Sequence, residues 1–249
     1  MKLENRIALV TGGGTGIGKA TSLLLAREGC DVAVNYSRSK DDADQTVGEI
    51  EALGRKAIAI QADISDETAV QAMFASIDEK LGQLDILVNN AATTQFVPYT
   101  DLDGMTAEIW DTIFAVNVKG TFLCCREAIK RMKAKGKGSI VSVSSIAGMT
   151  GLGSSIAYAT SKAAVINMTR GLAASCAPEV SVNAVAPGVV ETRWVKGWEK
   201  FTDPHREATP MKRHAQPEDV ALAIYGLILN PFTTGETIRV DGGRTLGAT

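Results

Sequence analysis

Short runs of apolar, β-branched residues recur along this chain with helical patterns between them, and that alternation constrains the fold more than any other feature. The runs are 6–11, 31–36, 56–62, 84–89, 139–144, 180–185 and 237–240. Most are apolar at consecutive positions, as strands are when both of their faces are covered. The stretches between them, roughly 16–28, 40–53, 66–81, 106–134, 158–175 and 217–229, carry the spacing of amphipathic helices. Such a βαβ series predicts an α/β fold with a doubly wound, seven-stranded parallel sheet flanked by helices on both faces.

The 249 residues exceed the usual size of one domain, but α/β units of this length often stay whole. No Pro/Ser-rich linker, long charge run or internal repeat divides the chain, so 1–249 reads as one domain. With 45% hydrophobic and 22% charged residues it can close a substantial core. The net charge of −2 leaves no excess cation for phosphate contacts, which excludes DNA and RNA as expected partners. No apolar run approaches the ~20 residues of a membrane span, and the start Met1 to Asn5 leads into a strand without the apolar stretch of a signal peptide. A cytoplasmic protein without membrane contact is expected. Cys30, Cys124, Cys125 and Cys176 form neither a Cys-x-x-Cys pair nor a Cys/His cluster with zinc spacing. They read as reduced core thiols, with no metal site. The weakest pattern, 189–213, holds Trp194, Trp198 and Phe201 beside Arg193, Lys196, Lys200, Arg206, Lys212 and Arg213, and reads as a substrate lid.

The first run, Ile7 to Val10, leads into Thr11-Gly12-Gly13-Gly14-Thr15-Gly16-Ile17-Gly18 and then a helix. Glycines in that turn let an anion approach the backbone, and the free N–H groups and dipole of the helix N-terminus favour a pyrophosphate. A tight βα turn is the plainer use of the same residues. A sharper rival is a P-loop, because Gly13, Gly18 and Lys19 fit its spacing. The next position is Ala20, which has no hydroxyl for Mg²⁺, so an NTPase is set aside.

Further motifs follow: Asn89-Asn90-Ala91-Ala92, Asn117, Ser145, Tyr158-Ala159-Thr160-Ser161-Lys162, Asn183 to Gly188, Thr192, and the closing Val240-Asp241-Gly242-Gly243. Their order and spacing across essentially the whole chain resemble the short-chain dehydrogenase/reductase family, on a Rossmann-type sheet. The 3-oxoacyl-acyl-carrier-protein reductase and glucose dehydrogenase branch is the most similar. Taken one at a time, these residues have plain uses: a surface pair, a turn serine, a helix-capping Asn. Together they imply an NAD(P)(H)-dependent oxidoreductase that moves a hydride between nicotinamide and a carbonyl or secondary alcohol.

The chemistry of the set has a physical basis. Tyr158 and Lys162 lie four apart on a predicted helix and share a face. A nearby ammonium favours phenolate, so Lys162 is expected to lower the Tyr158 pKa from ~10 and make it a usable acid/base. Ser145 follows the fifth strand, where its hydroxyl could polarise the carbonyl. The thirteen-residue step back from the tyrosine that the family shows selects Ser145 over Ser144. The resemblance gives Asn117 a proton-relay water. It gives Gly12, Gly14, Thr15, Gly16, Ile17 and Gly18 the pyrophosphate; Asp63 with Ile64, and Asn89, Asn90 and Ala91, the adenosine; and Pro187, Gly188, Val190 and Thr192 the nicotinamide. Tyr158 and Lys162 also border the cofactor. Ala92 stands where the family commonly has Gly.

The second strand ends Asn35-Tyr36-Ser37-Arg38, without the acid that would bind a ribose 2′-hydroxyl and repel a 2′-phosphate. NADP(H) is therefore expected over NAD(H), with Tyr36, Ser37 and Arg38 at that ribose. The substrate expected first is a carrier-bound 3-oxoacyl group; a sugar, a steroid or a small ketone or alcohol comes second. A non-catalytic dinucleotide-binding regulator would have no reason to hold Ser145, Tyr158 and Lys162 together. The resemblance also implies a homotetramer, with 106–134 and 158–175 as contact surfaces.

Overall fold

The structure is a computed structural model that describes residues 3–246, without the side chains at 199–201. All seven strands join one parallel sheet in the order β3-β2-β1-β4-β5-β6-β7. They are β1 Ile7–Val10, β2 Asp31–Tyr36, β3 Ala57–Gln61, β4 Ile86–Asn89, β5 Gly138–Val143, β6 Val180–Pro187 and β7 Thr237–Val240. Every residue of β1 and β4 is buried, which is why these strands read as unbroken apolar runs.

The helices are α1 Gly16–Arg27, α2 Lys40–Ala52, α3 Glu67–Lys80, α4 Ala107–Phe114, α5 Thr121–Lys135, α6 Ala147–Thr150, α7 Ile156–Cys176, α8 Glu199–Ala208 and α9 Pro217–Leu229. Two cores result. Leu25 of α1, Ile50 of α2 and Ile224 of α9 pack on one face of the sheet. Phe74 of α3, Leu123 and Met132 of α5 and Cys176 of α7 pack on the other. All four thiols are free and buried, and burial raises those of Cys30, Cys124 and Cys125.

The chain departs from the sequence expectation at 106–134, read there as one helix. α4 and α5 are separated by a π turn, Ala115–Gly120. A π turn has no residue signature of its own, so the sequence does not announce it. The segment 189–213 is also more ordered than its pattern suggests. It holds a 3₁₀ turn at Arg193–Val195 and α8, which carries Pro204. Its ends are tied by the bridge between Val190 and Ala215 and by the His214 ring, whose Nε2 lies 2.9 Å from the Thr202 carbonyl. The Lys200 and Phe201 side chains expected in this segment lie outside the described residues. None of the described helices is long and apolar enough to cross a membrane.

In this strand order the chain leaves β1 toward β2 and β3, whereas β4 leads toward β5, β6 and β7. The strand ends on either side of that reversal leave a crevice, the place where doubly wound sheets bind ligands.

Candidate active site

The glycine turn opens directly into this crevice. Gly12 holds φ +60°, a left-handed conformation that glycine adopts without strain. A β-carbon on Gly18 would stand 2.1 Å from the Gly12 carbonyl oxygen, so α1 can leave β1 this tightly only with glycine there. Asn90 locks the turn from the β4 side, its Nδ2 donating to the carbonyls of Thr11 at 3.0 Å and Gly12 at 3.1 Å. Thr11 Oγ1 accepts from the amides of Asn90 and Ala91, both at 3.0 Å. From the β2 side, buried Asn35 accepts from the Gly12 amide at 3.3 Å and donates to the Ala62 carbonyl at 3.0 Å. Thr11 and Asn35 were not among the expected site residues. A lone Asn in the apolar run of β2 was the available signal, since a buried amide must find partners.

The N-cap of α1, Thr15, makes no side-chain capping bond, and the first turn carries no acidic residue. By contrast, Asp66 caps α3 and Ser155 caps α7. Donors at the α1 N-terminus are thus left facing the crevice, as an anion site requires.

The crevice is a cleft of about 850 Å³. Gly12, Gly14, Thr15, Gly16 and Ile17 line it, as do Tyr36, Ser37, Arg38, Asp63, Ile64, Asn90 and Ala91. Ser145, Tyr158, Lys162, Pro187, Gly188, Val190 and Thr192 complete the expected lining. Three expected residues stand behind the wall instead. Gly18 lies beneath the turn. Asn89 is turned into the core, its Nδ2 3.2 Å from both Cys125 Sγ and Ser142 Oγ. Asn117 sits buried in the π turn, where its Oδ1 accepts from the Thr93 amide at 2.8 Å and its Nδ2 donates to Ser161 Oγ at 3.0 Å. It joins the loop after β4 to α7, the helix that bears Tyr158.

Tyr158 and Lys162 meet as their spacing predicts. The Lys162 ammonium lies 5.7 Å from the Tyr158 ring centroid and donates to the Val143 carbonyl at 2.8 Å. Ser144 Oγ donates to the Lys162 carbonyl at 2.8 Å and so serves the backbone, whereas the Ser145 side chain stands near enough to the Tyr158 hydroxyl to pull its pKa down. The expected electrostatics require a correction. Burial pushes the Tyr158 phenol up to about 12, with the Ser145 side chain pulling the other way. Burial also pulls the Lys162 ammonium down to about 8. Desolvation therefore outweighs the effect expected from charge proximity alone, because Lys162 is buried and Tyr158 half-buried at the cleft wall. A phenol that keeps its proton, beside a serine hydroxyl, is equipped to protonate an oxygen.

The model of the short chain dehydrogenase family matches residues 6–203. The chain is 44% identical over 247 residues to the oxidoreductase YgfF of Escherichia coli, covering 96% of this chain and 99% of that protein. It is 39% identical over 248 residues to the 3-oxoacyl-acyl-carrier-protein reductase of Synechocystis, covering 98% of each. Among solved structures, a short chain dehydrogenase from Burkholderia cenocepacia in complex with NADP superposes with a TM-score of 0.91 at 35% identity. That match covers 98% of this chain and all of the other. The chain belongs to the short-chain dehydrogenase/reductase family and is a nicotinamide-dependent oxidoreductase acting on carbonyl substrates.

Proposed function

We propose that this protein is an NADPH-dependent ketoreductase in which Tyr158 protonates the carbonyl oxygen. One observation carries the reading: Ser145, Tyr158 and Lys162 line the same cleft as a glycine turn whose helix N-cap, Thr15, makes no side-chain capping bond. A nicotinamide held in this cleft would supply the hydride for the carbonyl carbon. Ser145 and Tyr158 hold the carbonyl oxygen between two hydroxyl donors, so the negative charge that develops there is met by prealigned dipoles. The Lys162 ammonium adds positive charge beneath the phenol and favours its giving up the proton. Asn117 positions α7 by clamping Ser161 to the loop after β4.

The glycine turn and α1 N-terminus would hold the pyrophosphate, Asp63 and Ile64 the adenine, and Val190 and Thr192 the nicotinamide. Arg38 and Ser37 would meet a ribose 2′-phosphate, and the lack of an acid at the end of β2 removes the repulsion that disfavours NADP. The NADP held by the Burkholderia cenocepacia relative supports this preference. The name of the Synechocystis relative puts 3-oxoacyl thioesters first among substrates. We take residues 1–249 as one domain with 189–213 as its lid, acting in the cytoplasm as a homotetramer. Initial rates at 340 nm with 3-oxo esters test the reading. The expected result is a higher kcat/KM with NADPH than with NADH. Equal or better values with NADH would overturn the cofactor preference, and no turnover with either would overturn the activity.

A further inference from the structure

The substrate end of the cleft is walled by apolar groups from two separate segments, with Phe96 of a third packed behind one of them. Trp194 stands on the 3₁₀ turn with its ring centroid 6.4 Å from that of Tyr158, tilted by 54°. Trp198, just before α8, pairs with Phe96 from the loop after β4 at 5.8 Å. Leu152, from the loop before α7, completes the rim. These are not core residues: Trp194 is 41% exposed, Phe96 44% and Leu152 68%. Large apolar side chains left open around one cavity mark a surface meant to be covered by a ligand.

The polar inventory of this end narrows the ligand. Among the described residues, the charged side chains lining the cleft are Arg38, Asp63, Lys162 and Arg193, with His205 as a further titratable group. Arg38 and Asp63 follow β2 and β3, which lie beyond β1 and β4 from β5. Lys162 is engaged by the Val143 carbonyl, and Arg193 donates to Asp42 of α2 at 3.0 Å. Burial, followed by Arg244 and His214, pulls the His205 pKa below its ordinary value. Ser154 is held by Thr94, with their hydroxyl oxygens 2.6 Å apart. Two lid cations beyond the cleft are likewise engaged, Arg206 with Asp203 at 3.5 Å and Arg213 with Asp219 at 2.6 Å. Among the described residues the cations of this wall are already engaged, which leaves little for a carboxylate, and its hydroxyls beyond Ser145 and Tyr158 are few for a polyol.

We propose that the acceptor half of the cleft takes a neutral ketone with a flat, apolar ring system next to its carbonyl, the ring lying against Trp194 and Trp198. The proposal rests on the ketoreductase reading and names its substrate class. With the carbonyl oxygen at Ser145 and Tyr158, a ring one carbon away falls where Trp194 overhangs Tyr158. A sugar would strip its hydroxyls of water without replacing their hydrogen bonds, and the aromatic wall would leave a short straight chain poorly covered.

The test compares two 3-oxo esters of matched reactivity with NADPH: ethyl 3-oxo-4-phenylbutanoate, which carries the ring, and ethyl 3-oxobutanoate, which does not. The ring-bearing ester should show a kcat/KM about tenfold higher, the scale expected for a ring packed on tryptophan. In Trp194→Ala that ratio should collapse toward one, through KM more than kcat. A second variant, Trp198→Ala, should lower the ratio in the same direction. A ratio at or below one in the wild type, a ratio unchanged in both variants, or faster NADP reduction with glucose than with the ring-bearing alcohol product would each overturn the inference while leaving the enzyme a dehydrogenase. No turnover of either ester with either nicotinamide would overturn the ketoreductase reading, and the inference with it.

Discussion

Ketone reduction by this protein should fade as the pH rises through about 8, although a tyrosine and a lysine ordinarily titrate near 10. Lys162 is buried against the Val143 carbonyl, and desolvation brings its pKa from 10.5 to about 8. Tyr158, held near 12, keeps its proton over the same range and contributes nothing to the change. A group titrating at 8 is about nine-tenths charged at pH 7 and about one-tenth charged at pH 9, so kcat/KM for reduction should fall roughly tenfold between them. Initial rates at subsaturating ketone and constant ionic strength, from pH 6.5 to 9.5, measure this. Stability should move the opposite way. Between pH 8 and 10.5 the unfolded lysine binds more protons than the folded one, so this group's contribution rises with pH, by about 1 kcal/mol from pH 7 to 9. Lys162→Met lacks that contribution, and urea denaturation at the two pH values should show wild type gaining on the variant by this amount. The raised thiols of Cys30, Cys124 and Cys125 lower stability above pH 9, but they are common to both proteins and cancel. A reduction rate flat to pH 9.5, with an unchanged stability difference, would refute the reasoning.

Two further outcomes follow from the geometry around the cofactor groove. Gly18→Ala places a methyl 2.1 Å from the Gly12 oxygen and 2.6 Å from Asn90 Nδ2, so the turn must deform. The melting temperature should fall by about 5–10 °C and NADPH binding should weaken at least about tenfold; wild-type values for both would contradict this. The Arg193–Asp42 pair ties the 3₁₀ turn to α2 across the groove. It is largely exposed, so Arg193→Gln or Asp42→Asn should speed NADPH release at most about fivefold, with the effect fading in high salt. Stopped-flow release should return to wild type when the two charges are exchanged in a double variant.

The parts of the site that depend on spacing were legible in the sequence. The glycine turn after β1 and the Tyr158, Lys162 and Ser145 set each rest on local geometry that a strand or a helix enforces. Features that depend on burial were hidden. The pKa of Tyr158 moves up because its hydroxyl is desolvated, and no residue pattern reports how much water is excluded. Asn89 and Asn90 read alike, yet β4 turns one into the core and the loop turns the other onto the glycine turn. The π turn at Asn117 escaped because no residue type marks a π turn. α8 escaped because Pro204 interrupts its helical pattern.

The account centres on a proton passing from the Tyr158 hydroxyl to the substrate oxygen. Its most direct test is Tyr158→Phe, assayed for NADPH binding by fluorescence and for reduction of a 3-oxo ester in a single turnover. The account predicts binding close to wild type and a rate lower by about 10²-fold or more. Near-normal reduction by the phenylalanine variant would contradict it.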